Sequence, residues 1–421
     1  MGKLSETKHF LDLYMHMIGT NEVPRQWHLW SALSLLAACI QDRVWIRVDE
    51  VWKVYPNIYV MLVGASGSGK EFAVSTAQSF IPTKSRANKW AGTLTRPGML
   101  EWLALSGATQ THGKGKHKVT TSTNPRCWFV AEELGAAIPS GDLGQALIAL
   151  LTAIYVRPAD YGDGNRQHGF LQLVRPCVNA LLATTDEWLI RSIPKDAVEG
   201  GFIARMQVIR GERDYRVRYP EMLYPDDYAE VRDHLQRRVE DYLSLEEGEF
   251  RLDEEAKAVH HHWYRNQQPP SDSALRPAFN KADALIYKLS LLLALCEWPG
   301  REAINEEDGI SYYDPVIRAH HVEEAISHWN WLVGDMPETM RIANANPQSN
   351  DVEVVREVVR SAGSMTRSVL QQKVGGSKGI VKERLDKALA TLIDEEVVQE
   401  HREQGRGVRP KVWYTWEGGD R

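Results

Sequence analysis

Residues 64–71 constrain the fold more than any other part of the sequence. They read GASGSGKE, which matches the phosphate-binding pattern GxxxxGK, and they follow the apolar run 57–63. A short apolar run that ends in glycine is typical of a buried parallel strand, and the residues from Lys70 to about Phe80 favour a helix. In this context glycines let successive N–H groups face phosphate oxygens, and the helix N-terminus adds partial positive charge.

One position of this loop departs from the pattern. The residues predicted to bind the phosphates of ATP are Gly64, Ala65, Ser66, Gly67, Ser68, Gly69, Lys70 and Glu71. Glu71 stands where a Ser or Thr hydroxyl usually binds Mg²⁺. Because a carboxylate beside a triphosphate is repulsive unless a cation lies between them, Glu71 either holds Mg²⁺, directly or through water, or turns away and weakens metal binding. The loop therefore predicts nucleotide binding, and hydrolysis depends on the role of Glu71.

A pair of acids ends the next apolar run, residues 127–131. In a P-loop ATPase one acid at this strand end holds Mg²⁺ through water, and its neighbour polarises the attacking water. By position we assign Glu132 to the metal and Glu133 to the general base. The alternative is a strand that runs into the solvated acidic start of a helix.

Two further candidates follow the later apolar runs. Thr185, beside Thr184, ends the run 178–183, where a polar side chain could sense the γ-phosphate or position water; a polar turn is the alternative. Arg205 follows a Gly-Gly pair and precedes another strand, so it is a candidate arginine finger that acts on a neighbouring subunit. Three other arginines compete for that role: Arg191, Arg210 and Arg213.

The composition limits where nucleic acid could bind. The chain has 421 residues, enough for two or three domains, and a formal net charge of -6, so contacts with nucleic acid must come from local patches. Its four cysteines are scattered, which argues against disulfides and structural zinc and for a reducing compartment. No signal peptide and no membrane-spanning run is evident. We therefore expect a cytoplasmic protein without membrane contact.

Two stretches of the core could contact a single strand. Residues 111–118 (THGKGKHK) are rich in glycine and offer Lys114, Lys116 and Lys118 to backbone phosphates. A solvated surface loop is the alternative. Residues 156–169 mix aromatic, basic and turn residues and could line a central pore, although two acids dilute their charge.

The C-terminal residues predict a separate module. Three helical segments and a β-hairpin succeed one another in residues 351–421, the order of a winged helix. Its predicted nucleic-acid contacts, with duplex DNA in this case, are Lys378, Lys382 and Arg384 on the third helix and Arg406 and Arg409 at the hairpin tip. A winged helix that contacts protein is the alternative.

These patterns divide the chain into five parts. Strands alternate with helices in the core, which predicts an α/β fold with a parallel sheet. The predicted parts are a helical lead-in (1–45), a P-loop ATPase core (46–225), a helical segment (226–335), a linker (336–350) and the winged helix (351–421).

Four short segments together resemble a known family. GASGSGKE, the strand with EELG, TTDEWL and GGFIAR look like the RecA-like P-loop ATPases of phage and mobile-element replicative primase–helicases and helicases. The resemblance covers roughly residues 20–300 and includes the apolar helix ALIYKLSLLLAL. It implies a RecA-like core, ATP and Mg²⁺ as cofactors, DNA as partner and a homo-oligomeric ring, a hexamer in the usual case. The family's residues match at Lys70, Glu132, Glu133 and Arg205, although the acid pair departs from the more usual Asp-Glu.

Three functional hypotheses remain open. The first is an ATP-hydrolysing motor on nucleic acid, a phage or mobile-element replicative DNA helicase of which this chain represents the motor portion. The second is a DNA-binding replication initiator or helicase loader that uses ATP as a switch. The third is a nucleotide-binding regulator without hydrolysis, an interpretation that Glu71 supports.

Overall fold

A five-stranded parallel sheet organises the larger of two units, residues 1–343 and 344–421, in the computed structural model. The structure describes residues 9–81, 88–113, 118–138, 142–165, 169–192, 201–215, 224–298, 315–343, 347–376, 380–403 and 411–417. An α/β fold with a parallel sheet is thus confirmed. Within these residues, no helix combines the length and apolar character needed to cross a bilayer.

The elements of the larger unit follow in chain order. The helices are α1 (Phe10–Ile18), α2 (Arg25–Ile40), α3 (Lys70–Gln78), α4 (Arg96–Ser106), α5 (Leu134–Ala137), α6 (Asp142–Ile154), α7 (Asp186–Ser192), α8 (Tyr228–Leu243), α9 (Glu254–Arg265), α10 (Arg276–Phe279), α11 (Ala282–Cys296) and α12 (Ala319–Ala343). The strands are β1 (Val44–Arg47), β2 (Lys53–Val54), β3 (Tyr59–Val63), β4 (Lys89–Ala91), β5 (Ala108–His112), β6 (Val119–Thr123), β7 (Arg126–Ala131), β8 (Asp160–Asn165), β9 (Gly169–Val174), β10 (Cys177–Thr184), β11 (Met206–Arg210), β12 (Gly248–Leu252) and β13 (Val316–Ile317).

The central sheet has the order β11–β3–β10–β7–β4, and each neighbouring pair is parallel. All five residues of β3 are buried. Val60 and Leu62 belong to the core shared with α1, α2, α3, α8 and α11, whereas Tyr59, Met61 and Val63 face the core with α4, α5 and α6. Helices cover both faces, which is why the strands appear in the sequence as continuous apolar runs.

A second sheet extends two of the central strands. It has the order β5–β6–β9–β8, and β6 runs parallel to β9 as β7 does to β10. The chain passes from β6 to β7 through Asn124 and Pro125, and from β9 to β10 through Arg175 and Pro176; Asn124 and Arg175 have positive φ angles of 51° and 54°. Parts of the stretches predicted as nucleic-acid loops are strands: residues 111–112 belong to β5 and residues 160–165 to β8, whereas residues 114–117 and 166–168 lie outside the described residues. β5 is exposed along its whole length and lacks the apolar alternation that marks a strand in a sequence.

The predicted domain boundaries at the start and end of the core are not physical divisions. β1 pairs in parallel with β12, and α1 and α2 share a core with α8 and α11. Most of the predicted linker, residues 336–350, is helical in the structure. Helix α12 continues to Ala343 through Pro337, and the next helix starts at Pro347. Proline is favoured at the first position of a helix, so Pro347 marks a helix start rather than a linker.

The apolar helix α11 contains one lysine, Lys288, which is buried and has hydrogen-bond partners. Lys288 Nζ donates hydrogen bonds to the backbone oxygen of Asn57 at 2.7 Å and to its Oδ1 at 2.6 Å. Burial lowers the pKa of Lys288 to about 7. The contact ties α11 to the segment that enters β3.

The smaller unit contains three helices and a three-stranded antiparallel sheet. The helices are α13 (Pro347–Ala362), α14 (Arg367–Gly376) and α15 (Lys382–Asp394), and the strands are β14 (Ser364–Thr366), β15 (Val398–Glu403) and β16 (Lys411–Trp416). The sheet has the order β14–β16–β15. Val355, Leu370, Leu385 and Leu389 contribute to a separate core. The order of three helices and a hairpin is the order predicted from the sequence. Two details differ: the third helix begins at Lys382, after Lys378, and the short strand β14 was not predicted.

His28 leads to a prediction about stability in acid. Its ring is fully buried on α2 and meets Phe72 edge-on at a centroid distance of 5.5 Å. Burial, together with the charge of Arg25, lowers the pKa of His28 from 6.5 to about 3. Between these values the unfolded chain binds a proton that the folded chain does not, so stability falls as the pH falls. Each pH unit in this window costs about 1.4 kcal/mol.

We expect wild type to lose about 2 kcal/mol more than His28→Phe between pH 7 and pH 5, because the variant has no imidazole to protonate. Urea unfolding followed by tryptophan fluorescence measures the difference. His112→Phe, at an exposed histidine, is the matched control. Equal losses in wild type and His28→Phe would contradict the interpretation.

Candidate functional site

The phosphate loop lies at the carboxyl end of β3 and leads into α3. Gly67 and Gly69 have φ angles of 73° and 94°, a left-handed region that costs a residue with a Cβ about 1–2 kcal/mol. Gly69 precedes α3 and supplies no side-chain cap. The first N–H groups of the helix therefore remain available to an anion.

Neighbouring residues approach the loop closely enough to require glycine. A Cβ at Gly64 would lie 2.7 Å from the backbone oxygen of Gly211 and 2.7 Å from the ring of Trp27. A Cβ at Gly69 would lie 2.6 Å from Val23. Trp27 and Val23 stand about forty residues before the loop in the chain, and no sequence motif connected them to it.

Lys70 is folded into the loop. Its Nζ donates to the backbone oxygens of Gly64 at 2.8 Å and Ala65 at 2.6 Å and lies 3.3 Å from Ser68 Oγ. The residue is 2% exposed. Burial lowers the pKa of Lys70, while the carboxylates of Glu71, Glu133, Asp186 and Glu187 oppose that decrease. The ammonium group thus lies among the loop carbonyls, within electrostatic range of four acids.

The two predicted acids occupy different surroundings. Glu133 follows β7 and its charge acts on Lys70, whereas Glu132 accepts a hydrogen bond from Gln78 Nε2 at 3.3 Å, at the far end of α3. Glu71 is exposed in the first turn of α3. Glu71 and Glu133 are therefore the two predicted site acids whose charges reach Lys70.

An ion pair crosses the end of β3. Arg210 Nη2 lies 2.7 Å from both carboxylate oxygens of Asp186. Arg210 ends β11 and Asp186 begins α7 after β10, and β3 lies between these two strands. Thr185 Oγ1 accepts the N–H of Trp188 at 3.4 Å, which is an N-cap contact for α7. Sequence reasoning did not include Asp186 in the site, although it directly follows the Thr-Thr pair.

The candidate arginines are divided between the two ends of the sheet. Arg213 Nη1 donates to the backbone oxygen of Gly67 at 3.3 Å and pairs with Glu22. Arg205 instead precedes β11 and donates to the backbone oxygen of Gly201 at 2.7 Å. The length of β11 separates it from the loop by about 13 Å, so it does not serve the site of its own chain. Its action on a neighbouring subunit remains a prediction, and the side chain of Arg191 lies outside the described residues.

A histidine group lies outside the phosphate loop. Among the described residues, one set of side chains is close enough together to share a metal ion: Glu297, His320 and His321. His321 Nδ1 accepts the backbone N–H of Arg318 at 3.0 Å. The neutral ring then carries its proton on Nε2, which faces Glu297 at 3.1 Å and cannot bind a metal in that form. This arrangement is a hydrogen-bonded helix start, and the predicted ligands Glu71 and Glu132 are not part of it.

The predicted nucleic-acid residues fall into three groups. Lys118 and Lys382 are exposed. Arg384 forms a two-pronged ion pair with Asp351, at 2.6 Å and 2.5 Å, and Asp351 is 1% exposed. The main partner of Arg384 is therefore inside its own unit, where it joins α15 to α13. The remaining predictions lie outside the described residues: Lys114, Lys116, Lys378, Arg406 and Arg409.

Comparison with known proteins adds no relative. The sequence matches no protein-family model and no curated protein. The function is therefore inferred from the geometry of the site.

The crowding at Gly69 generates a stability prediction. Gly67→Ala and Gly69→Ala both place a Cβ at a left-handed φ, but the position at Gly67 has nothing within 4 Å. We expect Gly69→Ala to be the more destabilising by about 1–3 kcal/mol, because it also overpacks against Val23. Val23→Ala should restore part of the loss in Gly69→Ala and none in Gly67→Ala. Urea unfolding checks this, and equal effects of the two glycine substitutions would refute the contact.

Proposed function

We propose that the chain is a P-loop ATPase with a RecA-like core that acts as a motor on DNA. The supporting observation is the placement of Lys70 in a glycine loop at the carboxyl end of the central parallel strand β3. Asp186 follows the adjacent strand β10, and Glu133 follows β7, the next strand beyond it. Ligands of open α/β sheets bind outside the carboxyl ends of the strands. The loop amides and the ammonium group match the needs of a triphosphate.

In the proposed hydrolysis, different residues bind the phosphates and activate the water. The loop and the first turn of α3 bind and orient the phosphates, and Lys70 stabilises the charge that develops on the transferred group. Glu133 orients and polarises the attacking water. The charge of Glu133 acts on Lys70, which supports its role as the base. Glu132 accepts a hydrogen bond from Gln78, which fixes the orientation of its carboxylate.

Mg²⁺ fits the acids beside the loop. Magnesium prefers oxygen ligands and retains several of its waters, and exposed carboxylates accept such contacts. Glu71 is the protein group next to the triphosphate position, with Glu132 as the ligand predicted from sequence. The ion would supply charge neutralisation between the acids and the phosphates.

The DNA-binding part of the proposal rests on two surfaces. The smaller unit has the helix and hairpin order of a winged helix and exposes Lys382 on its third helix. The sheet that continues β7 and β10 presents Lys118 at the start of β6 and suits a single strand. A hexameric ring, with Arg205 acting between subunits, completes the helicase proposal. A replication initiator or loader would bind DNA and ATP without unwinding, and a regulator would bind ATP without turnover.

The acid pair provides the sharpest test of hydrolysis. We expect Glu133→Gln to lower ATP turnover by about 100-fold or more, since it removes the proposed base. Glu132→Gln, which changes a predicted metal ligand and leaves the base in place, should have a smaller effect. Lys70→Ala should abolish turnover. Phosphate release in the presence of single-stranded DNA measures all three. Wild-type turnover in Lys70→Ala would refute the site, and ATP binding without turnover in wild type would favour the regulator.

The smaller unit makes a separate prediction about salt. Each phosphate contact contributes about 0.7–0.9 to the slope of log affinity against log salt. Lys382→Glu should weaken DNA binding and lower that slope, while Lys373→Glu on α14 serves as a charge-matched control. Fluorescence anisotropy at several salt concentrations distinguishes them. If Lys382→Glu leaves both affinity and slope unchanged, the unit does not bind DNA through its third helix.

A further inference from the structure

A cleft of about 550 Å³ lies directly beside the phosphate loop. One wall is the segment between α1 and α2, and the other is the chain that follows β11. The lining side chains include Asn21, Val23, Pro24, Arg25, Gln26 and Glu212. The volume falls within the range of small-molecule sites, about 300–1,000 Å³.

Both walls are fastened to the loop. Val23 lies against Gly69, and Pro24 lies against Gly211, 3.0 Å from the position of a Cβ there. Arg213 reaches from Glu22 to the backbone oxygen of Gly67. The cleft is therefore separated from the phosphate loop only by side chains that contact both, Val23 and Arg213, and a molecule whose phosphates bind the loop could extend past them into the cleft.

The two walls carry complementary chemistry. Val23, which is partly exposed, offers an apolar surface of the kind that covers the face of a planar ring, and the buried Pro24 supports it from behind. Gln26 carries an amide that can both donate and accept hydrogen bonds. Glu212, exposed on the opposite wall, carries an acceptor suited to ribose hydroxyls. Two arginines, Arg25 and Arg213, also line the cleft and suit phosphates, although Arg213 is already paired with Glu22. A nucleoside, unlike an inorganic phosphate chain, also uses the carboxylate and the apolar surface.

We infer that this cleft binds the nucleoside part of the nucleotide. The base lies on Val23 with its edge against the amide of Gln26, and the ribose hydroxyls donate to Glu212. The inference rests on the proposed function, because it requires the phosphates to occupy the adjacent loop. It assigns nucleotide selection to the chain segment that precedes the central sheet.

The test compares ATP with tripolyphosphate, which has the phosphates and lacks the nucleoside. Calorimetric titration of the full chain with each ligand, in the presence of Mg²⁺, gives both affinities. We expect the double variant Gln26→Ala/Glu212→Ala to lower the affinity for ATP about tenfold or more and to leave that for tripolyphosphate within about twofold. Glu101→Ala, at an exposed acid on α4, is the control and should change neither.

The outcomes separate this inference from the proposed function. If wild type binds neither ligand, the nucleotide site itself is wrong. If wild type binds tripolyphosphate as tightly as ATP, or if the double variant keeps full affinity for ATP, the cleft does not bind the nucleoside. The conservative variants Gln26→Glu and Glu212→Gln guard against misfolding, with circular dichroism that remains that of wild type. Gln26→Glu should change the ratio of ATP to GTP affinity, because Gln26 meets the base, whereas Glu212→Gln should weaken both nucleotides alike, because they share the ribose. An unchanged ratio in the first together with unchanged affinities in the second would overturn the inference.

Discussion

The candidate site depends on one packing constraint: the phosphate loop is in close contact with the residues on both sides of it. Gly64 and Gly69 have no room for a Cβ, because Trp27 and Gly211 lie against one and Val23 against the other. Trp27 is itself fixed by a hydrogen bond from its Nε1 to the backbone oxygen of Ile209 at 3.0 Å. The loop is thus held from both sides by parts of the chain distant in sequence, and its amides are positioned before any ligand arrives.

The charges around the loop determine what Glu71 could do in the proposed site. Lys70 has four carboxylates within electrostatic range, and Arg210 is committed to one of them, Asp186. A triphosphate would add several negative charges to a region that is already acidic. Since like charges at such separations cost free energy, a bound triphosphate would need a divalent cation beside it. In the proposed site, an acid at position 71 would add to the demand for the ion and would also supply an oxygen ligand.

The sequence predicted the parts of the fold that are apolar and local. β3, β7, β10 and β11 were each expected, because a strand buried on both faces is a continuous apolar run. The sheet of β5, β6, β8 and β9 was missed because its strands are polar and partly exposed, so no alternation marks them. The pairing of β1 with β12 and the ion pair of Arg384 with Asp351 were also missed, since neither a parallel partner distant in the chain nor the partner of a charge can be read from spacing.

The strand pair β6–β9 continues into the strand pair β7–β10, and this continuity connects the proposed DNA-binding surface to the proposed nucleotide site. Glu133 follows β7 and Asp186 follows β10, and each strand continues backwards past a positive-φ residue and a proline into the sheet that bears Lys118. The two chains of this bend are hydrogen-bonded to each other on both sides of it, as β6 with β9 before the bend and as β7 with β10 after it. If single-stranded DNA binds at Lys118, paired β-strands would connect it to Glu133, the proposed base, and to Asp186. Paired strands shift together, whereas a loop moves by itself. This arrangement suits a motor, in which the state of the nucleotide and the grip on the strand have to change in step.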